Sequence, residues 1–133
     1  MSGMTAMLSS GAQWVGHQLA TYARLVDRRD SAAIGDMLAG ARVTFKDHQS
    51  ISGADAVAAF YASAFDGLGP RTVHLPSPPV LELAANGLQY EAPYLRITHR
   101  TEQPQLDGTG IYRGLIASRG GVWFFVSFRV DLH

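Results

Sequence analysis

Over residues 11–28 the apolar positions Val15, Leu19, Tyr22 and Val26 recur at steps of four, three and four, the spacing of one stripe along an amphipathic helix. Gln13, His17, Thr21, Arg24 and Arg28 fall on the opposite side. Gly16, Ala20, Ala23 and Asp27 form a third row, small except for its last member, which predicts open volume beside a carboxylate. A second, short helix is expected from Asp30 or Ser31, either of which can cap it, to Leu38. A strand over residues 42–47 follows. Ser52, Gly53 and Asp55 then open a third helix, with Val57, Phe60, Tyr61, Ala64 and Phe65 on its buried side and a closing loop over residues 67–70.

Beyond that loop the period changes to two. Residues 71–76 alternate, 80–83 follow a pair of prolines, and Asn86-Gly87 is a hairpin turn leading into a strand over 88–99. Pro93 has no N–H for a ladder and is expected at a bulge or an edge. Strands over 110–118 and 122–132 are joined by a turn at Arg119-Gly120-Gly121. Helices followed by an antiparallel meander define an α+β domain. In the last strand Val122, Phe124, Val126, Phe128, Val130 and Leu132 make one wholly apolar face, while Trp123, Phe125, Ser127, Arg129 and Asp131 make a mixed one. Such a strand is covered on both sides. The expectation is that one face lines a helix-capped interior, with Arg129 reaching into it, and that the other packs against a second subunit, giving a dimer or trimer. A twisted sheet covered by its own helices is the alternative.

Composition narrows the function classes. A chain of 133 residues is one domain's worth, and 47% hydrophobic against 17% charged residues leaves apolar surface for a cavity or an interface. The absence of cysteine excludes disulfides, thiolate metal sites and cysteine nucleophiles. Eleven basic residues balance eleven acidic ones with no basic stripe, so nucleic acid is not an expected partner. No apolar run reaches the roughly 18 residues of a membrane span, and no basic segment precedes an apolar one at the N-terminus. The reading is a soluble, cytoplasmic chain with a flexible segment over residues 1–10 and one domain over 11–133.

No phosphate-cradling glycine loop, HExxH pair or EF-hand pattern occurs, so no metal or cofactor is called for. Candidate chemistry is scattered over apolar elements: Tyr22, Asp27, Asp47, His74, His99 and Arg129. Asp27 lies in the last turn of its helix, where a negative charge meets the negative end of the dipole and needs a partner. That partner is Arg24, or water, or a histidine. His74 projects from a short strand on the face opposite Val73 and Leu75, alongside Thr72.

These residues carry a family resemblance. The run from Tyr22 to Asp30, the segment from Ser52 to Tyr61, the Thr72-Val73-His74 strand and the Gly120-Gly121-Val122-Trp123 hairpin resemble the SnoaL-like branch of the nuclear-transport-factor-2-like superfamily over nearly the whole chain. The resemblance implies a cone of three N-terminal helices on a curved mixed or antiparallel sheet enclosing a cavity. It is closest to the group of scytalone dehydratase, bile-acid 7α-dehydratase and hexachlorocyclohexane dehydrochlorinase. In that group the catalytic pair is an aspartate late in the first helix and a strand histidine, positions that Asp27 and His74 occupy. Arg129 resembles that group's last-strand cavity arginine, and Tyr22 a first-helix tyrosine. The ketosteroid isomerase acids would fall near Phe45 and Tyr112, so only Tyr22 carries over from that enzyme.

The chemistry that the resemblance implies is an elimination or isomerisation on a hydrophobic cyclic molecule. His74 would act as base, Asp27 would fix its tautomer, and Arg129 or Tyr22 would stabilise developing charge. Ala23, Phe45, Phe60 and Tyr112 are assigned to substrate contact. So are Trp123, Phe125 and His99. A non-catalytic ligand-binding module or an accessory protein remains the alternative.

Overall fold

The computed structural model describes residues 2–69, 71–99 and 103–132. Helix α1 (Ser2–Asp27) precedes α2 (Ser31–Met37), strands β1 (Arg42–Phe45) and β2 (Ile51–Ser52), and α3 (Ala54–Asp66). Strands β3 (Thr72–Pro76), β4 (Val80–Ala84), β5 (Gly87–Thr98), β6 (Gln105–Arg119) and β7 (Val122–Leu132) complete the chain. Among the described residues no helix is long and apolar enough to cross a membrane. Residues 2–10, read from the sequence as lying ahead of the first helix, form its opening turns. Pro70, in the loop expected to close α3, lies outside the described residues.

The seven strands form one sheet in the order β2-β1-β7-β6-β5-β3, with β4 pairing β5 beside β3. β1 runs parallel to β7 and every other pairing is antiparallel, so the sheet is mixed. Its inner face packs on the helices through Val15, Leu19 and Tyr22 of α1, Ile34 of α2, Val57 and Tyr61 of α3, and Leu88, Ile116 and Phe128 of the sheet. Full burial stabilises by about 1.5–3 kcal/mol for an aliphatic side chain such as Val15 or Leu19, which is why the stripe spacing was a reliable guide to the helix. The row of small residues behaves differently from the expectation. Gly16 lies against the Pro79 ring and Ala23 is buried, so small side chains there admit the β3–β4 segment instead of leaving a void.

Pro93 sits at neither a bulge nor an edge. β3 pairs with Tyr94 and beyond, β4 pairs with Glu91 and before, and Pro93 falls where one partner strand hands over to the other. Its missing N–H costs the sheet nothing there, and its carbonyl accepts the Ser77 N–H at 2.8 Å. Alternation through Pro93 therefore continues unbroken, and Tyr90, Ala92 and Tyr94 all point inward.

The last strand departs most from its pattern. Phe125 pairs with Ile116 and Ser127 with Leu115, leaving Val126 as an extra residue. The Ser127 hydroxyl accepts the Leu115 N–H at this bulge. One inserted residue reverses the facing of everything beyond it. Phe125 points inward before the bulge and Phe128 and Val130 after it, while Val122 is 67% exposed. The uniform apolar face is thus split between the two sides of the sheet.

Candidate functional site

α1 ends in a closure that fixes Asp27. Arg29 adopts φ 58°, its N–H bonds Val26 O, and the Asp30 N–H reaches Leu25 O, capping the carbonyls of the last turn. The Arg29 guanidinium donates to Gly69 O at 2.8 Å, tying the helix end to the loop before β3. Asp27 accordingly meets β3 side on. Its Oδ2 accepts the His74 backbone N–H at 3.0 Å and its Oδ1 lies 2.7 Å from His74 Nδ1. An ionised carboxylate can only accept, so Nδ1 carries the hydrogen, and in the neutral imidazole this leaves the lone pair on Nε2. The side chains are 13% exposed for His74 and 20% for Asp27. The partner of Asp27 is therefore His74, not Arg24.

His74 lines a cavity of about 370 Å³ between α1, α3 and the sheet. The inner lining is phenolic. Tyr22 and Tyr61 share a hydrogen bond at 2.6 Å, and Tyr94 stacks on Tyr112 with centroids 4.3 Å apart. The Tyr94 ring lies across Gly110 on the neighbouring strand, where any Cβ would fall 2.4 Å from it. Burial raises all four hydroxyls above the usual phenol range, Tyr94 to about 12 and the other three further. They remain protonated donors at any physiological pH. Tyr112 stands apart because its hydroxyl is buried and has no hydrogen-bond partner among the described residues.

The mouth is marked by exposed lining residues, Leu68 and Lys46 among them. Arg96 and Thr98 face it from β5, and Asp107 from β6, joined by an Arg96 Nε to Asp107 Oδ1 bond of 2.8 Å and a Thr98 to Asp107 hydrogen bond. None of these was singled out from the sequence. Tyr94 and Arg96 could have been found by continuing the Tyr90–Ala92 alternation through Pro93. Asp107 could not, because it faces inward at a register shift between β5 and β6.

Arg129 requires correction. It lies beyond the Val126 bulge on the outer face, 44% exposed, with its Nε 2.9 Å from Asp131 Oδ1. The cavity cation expected there is supplied from β5 by Arg96. Of the other assigned contacts, Tyr22, Phe45 and Tyr112 line the cavity. Ala23 is core, and Phe60 packs behind Phe45 at 5.6 Å. Phe125 packs on Trp14, and Trp123 Nε1 bonds the Ser10 hydroxyl, both away from the cavity. His99 and Asp47 are exposed and outside the lining. A larger open groove of about 990 Å³ crosses the outer face past Arg42, Glu91 and Arg129. It holds neither His74 nor Asp27, and His74 lines only the smaller, tyrosine-lined cavity of the two.

Residues 14–129 match the SnoaL-like domain. The chain belongs to the SnoaL-like domain family. Solved structures similar to this SnoaL-like domain share its fold at low identity. An NTF2-like protein with a cystatin-like fold from Novosphingobium aromaticivorans is 14% identical with a TM-score of 0.73, over 98% of this chain and 86% of that one. A candidate scytalone dehydratase from the same organism is 13% identical with a TM-score of 0.72, over 97% and 88%. ActVI-ORFA from Streptomyces coelicolor is 15% identical with a TM-score of 0.73, over 97% of both chains. No protein of curated function matches the chain.

Proposed function

We propose that this SnoaL-like domain is an enzyme that holds an apolar cyclic molecule in the tyrosine-lined cavity and moves a proton on it, with His74 as base. One observation carries the reading: the Asp27 carboxylate occupies His74 Nδ1, leaving a basic Nε2 on a ring that lines a cavity also lined by Tyr112, whose buried hydroxyl has no hydrogen-bond partner among the described residues. Nε2 takes a proton from a carbon next to a carbonyl, the C–H electron pair passes into an enolate, and the Tyr112 O–H donates to the enolate oxygen. Asp27 stabilises the imidazolium. The imidazolium then returns the proton either to a departing β-hydroxyl, giving an alkene and water, or to a second carbon, giving an isomer. The description of one structural neighbour as a candidate scytalone dehydratase agrees with the first outcome.

The test uses 2-tetralone, a bicyclic ketone with acidic α-hydrogens, followed by proton NMR in deuterium oxide. The protein is expected to accelerate α-exchange, His74→Ala to abolish the acceleration, and Asp27→Asn to reduce it, by about 10²–10⁴-fold at most. Undiminished exchange in His74→Ala overturns the assignment of the base. Bound tetralone with no acceleration makes the cavity a binding site only.

A further inference from the structure

The cavity is phenolic and apolar inside and charged at the mouth, and that gradient describes its ligand. His74 and Arg96 are direct cross-strand partners on β3 and β5, so both side chains lie on the same inner face. Arg96 is also opposite Gly108 on β6. With no side chain at Gly108, the guanidinium lies over the neighbouring strand, where a Cβ would fall 3.0 Å from Nη2. Asp107 takes Arg96 Nε and so fixes the plane of the group. The terminal nitrogens, the donors best suited to a flat two-oxygen acceptor, have no bonded acceptor among the described residues. Lys46 lines the same cavity, its ammonium 5.7 Å from the Phe45 ring centre. Among the described lining residues, the mouth therefore holds two cations, Lys46 and the anchored Arg96, against the single carboxylate of Asp107.

We infer that the ligand is a monoanion: a planar apolar ring system carrying one carboxylate, with the acid on Arg96 and Lys46 at the mouth and the ring among Tyr94, Tyr112 and Phe45 beside His74. The inference rests on the proposed reading of the cavity as a substrate site and narrows the class of substrate. One surplus positive charge matches one carboxylate, whereas a dianionic phosphate would leave negative charge uncompensated. A carboxylate is also flat, as the guanidinium edge requires. The acid would sit one strand from the base, which places the carbons nearest the carboxylate closest to Nε2.

The experiment compares 2-naphthoate with 2-naphthamide, equal in shape and different in charge, by titration calorimetry on the full chain at low ionic strength. Naphthoate is expected to bind about tenfold or more tightly than the amide, a difference of about 1.4 kcal/mol. In Arg96→Gln that preference should disappear while amide affinity is retained. Because this variant leaves Asp107 uncompensated, Arg96→Gln/Asp107→Asn is measured beside it, and either folded variant carries the test. Equal affinity of the two probes for the unaltered protein overturns the inference and leaves the substrate site standing, as does a preference that survives in the variants. Binding of neither probe removes the substrate site itself, and the substrate class with it.

Discussion

A single hydroxyl separates stability from function in this cavity. Tyr112 buries its O–H without a partner among the described residues, and an unpaired buried polar group costs about 1–3 kcal/mol. Tyr112→Phe is therefore expected to raise the melting temperature, or leave it unchanged, while slowing tetralone exchange. A fall in both would mean that the hydroxyl is structural. Tyr22 and Tyr61 set the contrast, since each satisfies the other at 2.6 Å. Tyr22→Phe strands the Tyr61 hydroxyl and should cost about 1–3 kcal/mol of unfolding free energy in urea titration. Asp27 was legible for a related reason: a carboxylate at a helix C-terminus needs an explanation, and the His74 backbone and ring supply it. Tyr61 was legible only as a buried helix position, because its role depends on which hydroxyl meets it across the cavity.

Among elements, the β5–β6 pair shapes the site. Three large β5 side chains face glycines on β6: Tyr90 opposite Gly114, Tyr94 opposite Gly110 and Arg96 opposite Gly108. Each glycine lets its partner lie across the strand, and the Tyr90 hydroxyl thereby reaches Ser127 O at 3.1 Å on β7. Gly110→Ala would place a methyl group 2.4 Å from the Tyr94 ring and push that ring into the cavity. The expected result is a loss of about 1–3 kcal/mol from overpacking together with loss of probe binding, both relieved by adding Tyr94→Leu. Binding measured in the single and double variants checks this. The glycines of β6 were visible in the sequence, but their pairing with particular side chains depends on register, which local spacing does not specify.

For the whole molecule, five buried phenols make alkaline pH the condition to which the fold is most exposed. Burial raises Tyr94 to about 12 and holds Tyr22, Tyr61, Tyr90 and Tyr112 well above the usual phenol range too, whereas in the unfolded chain each titrates near 10. Between those values the folded state binds more protons than the unfolded one. Stability is therefore fully present below about pH 10 and falls as pH rises towards the folded-state values. Melting temperatures across this range should drop steeply, with phenolate absorbance rising together with unfolding. Phenolate formation well before unfolding would show that the tyrosines are more open than the structure places them.

Local periodicity determined the helices, the meander and the α+β class, because burial of a stripe and alternation along a strand act over a few residues, whereas the pairing of Asp27 with His74, 47 residues apart, was implied only by the family resemblance. The facing of Arg129, Arg96 and Asp107 was decided only in the assembled sheet. An extra residue at Val126 turns Arg129 outward, a handover between partner strands keeps Arg96 inward past Pro93, and an offset at Ile97 brings Asp107 to the mouth. Each of these is a property of two strands in register, and a one-residue change in pairing exchanges inside for outside.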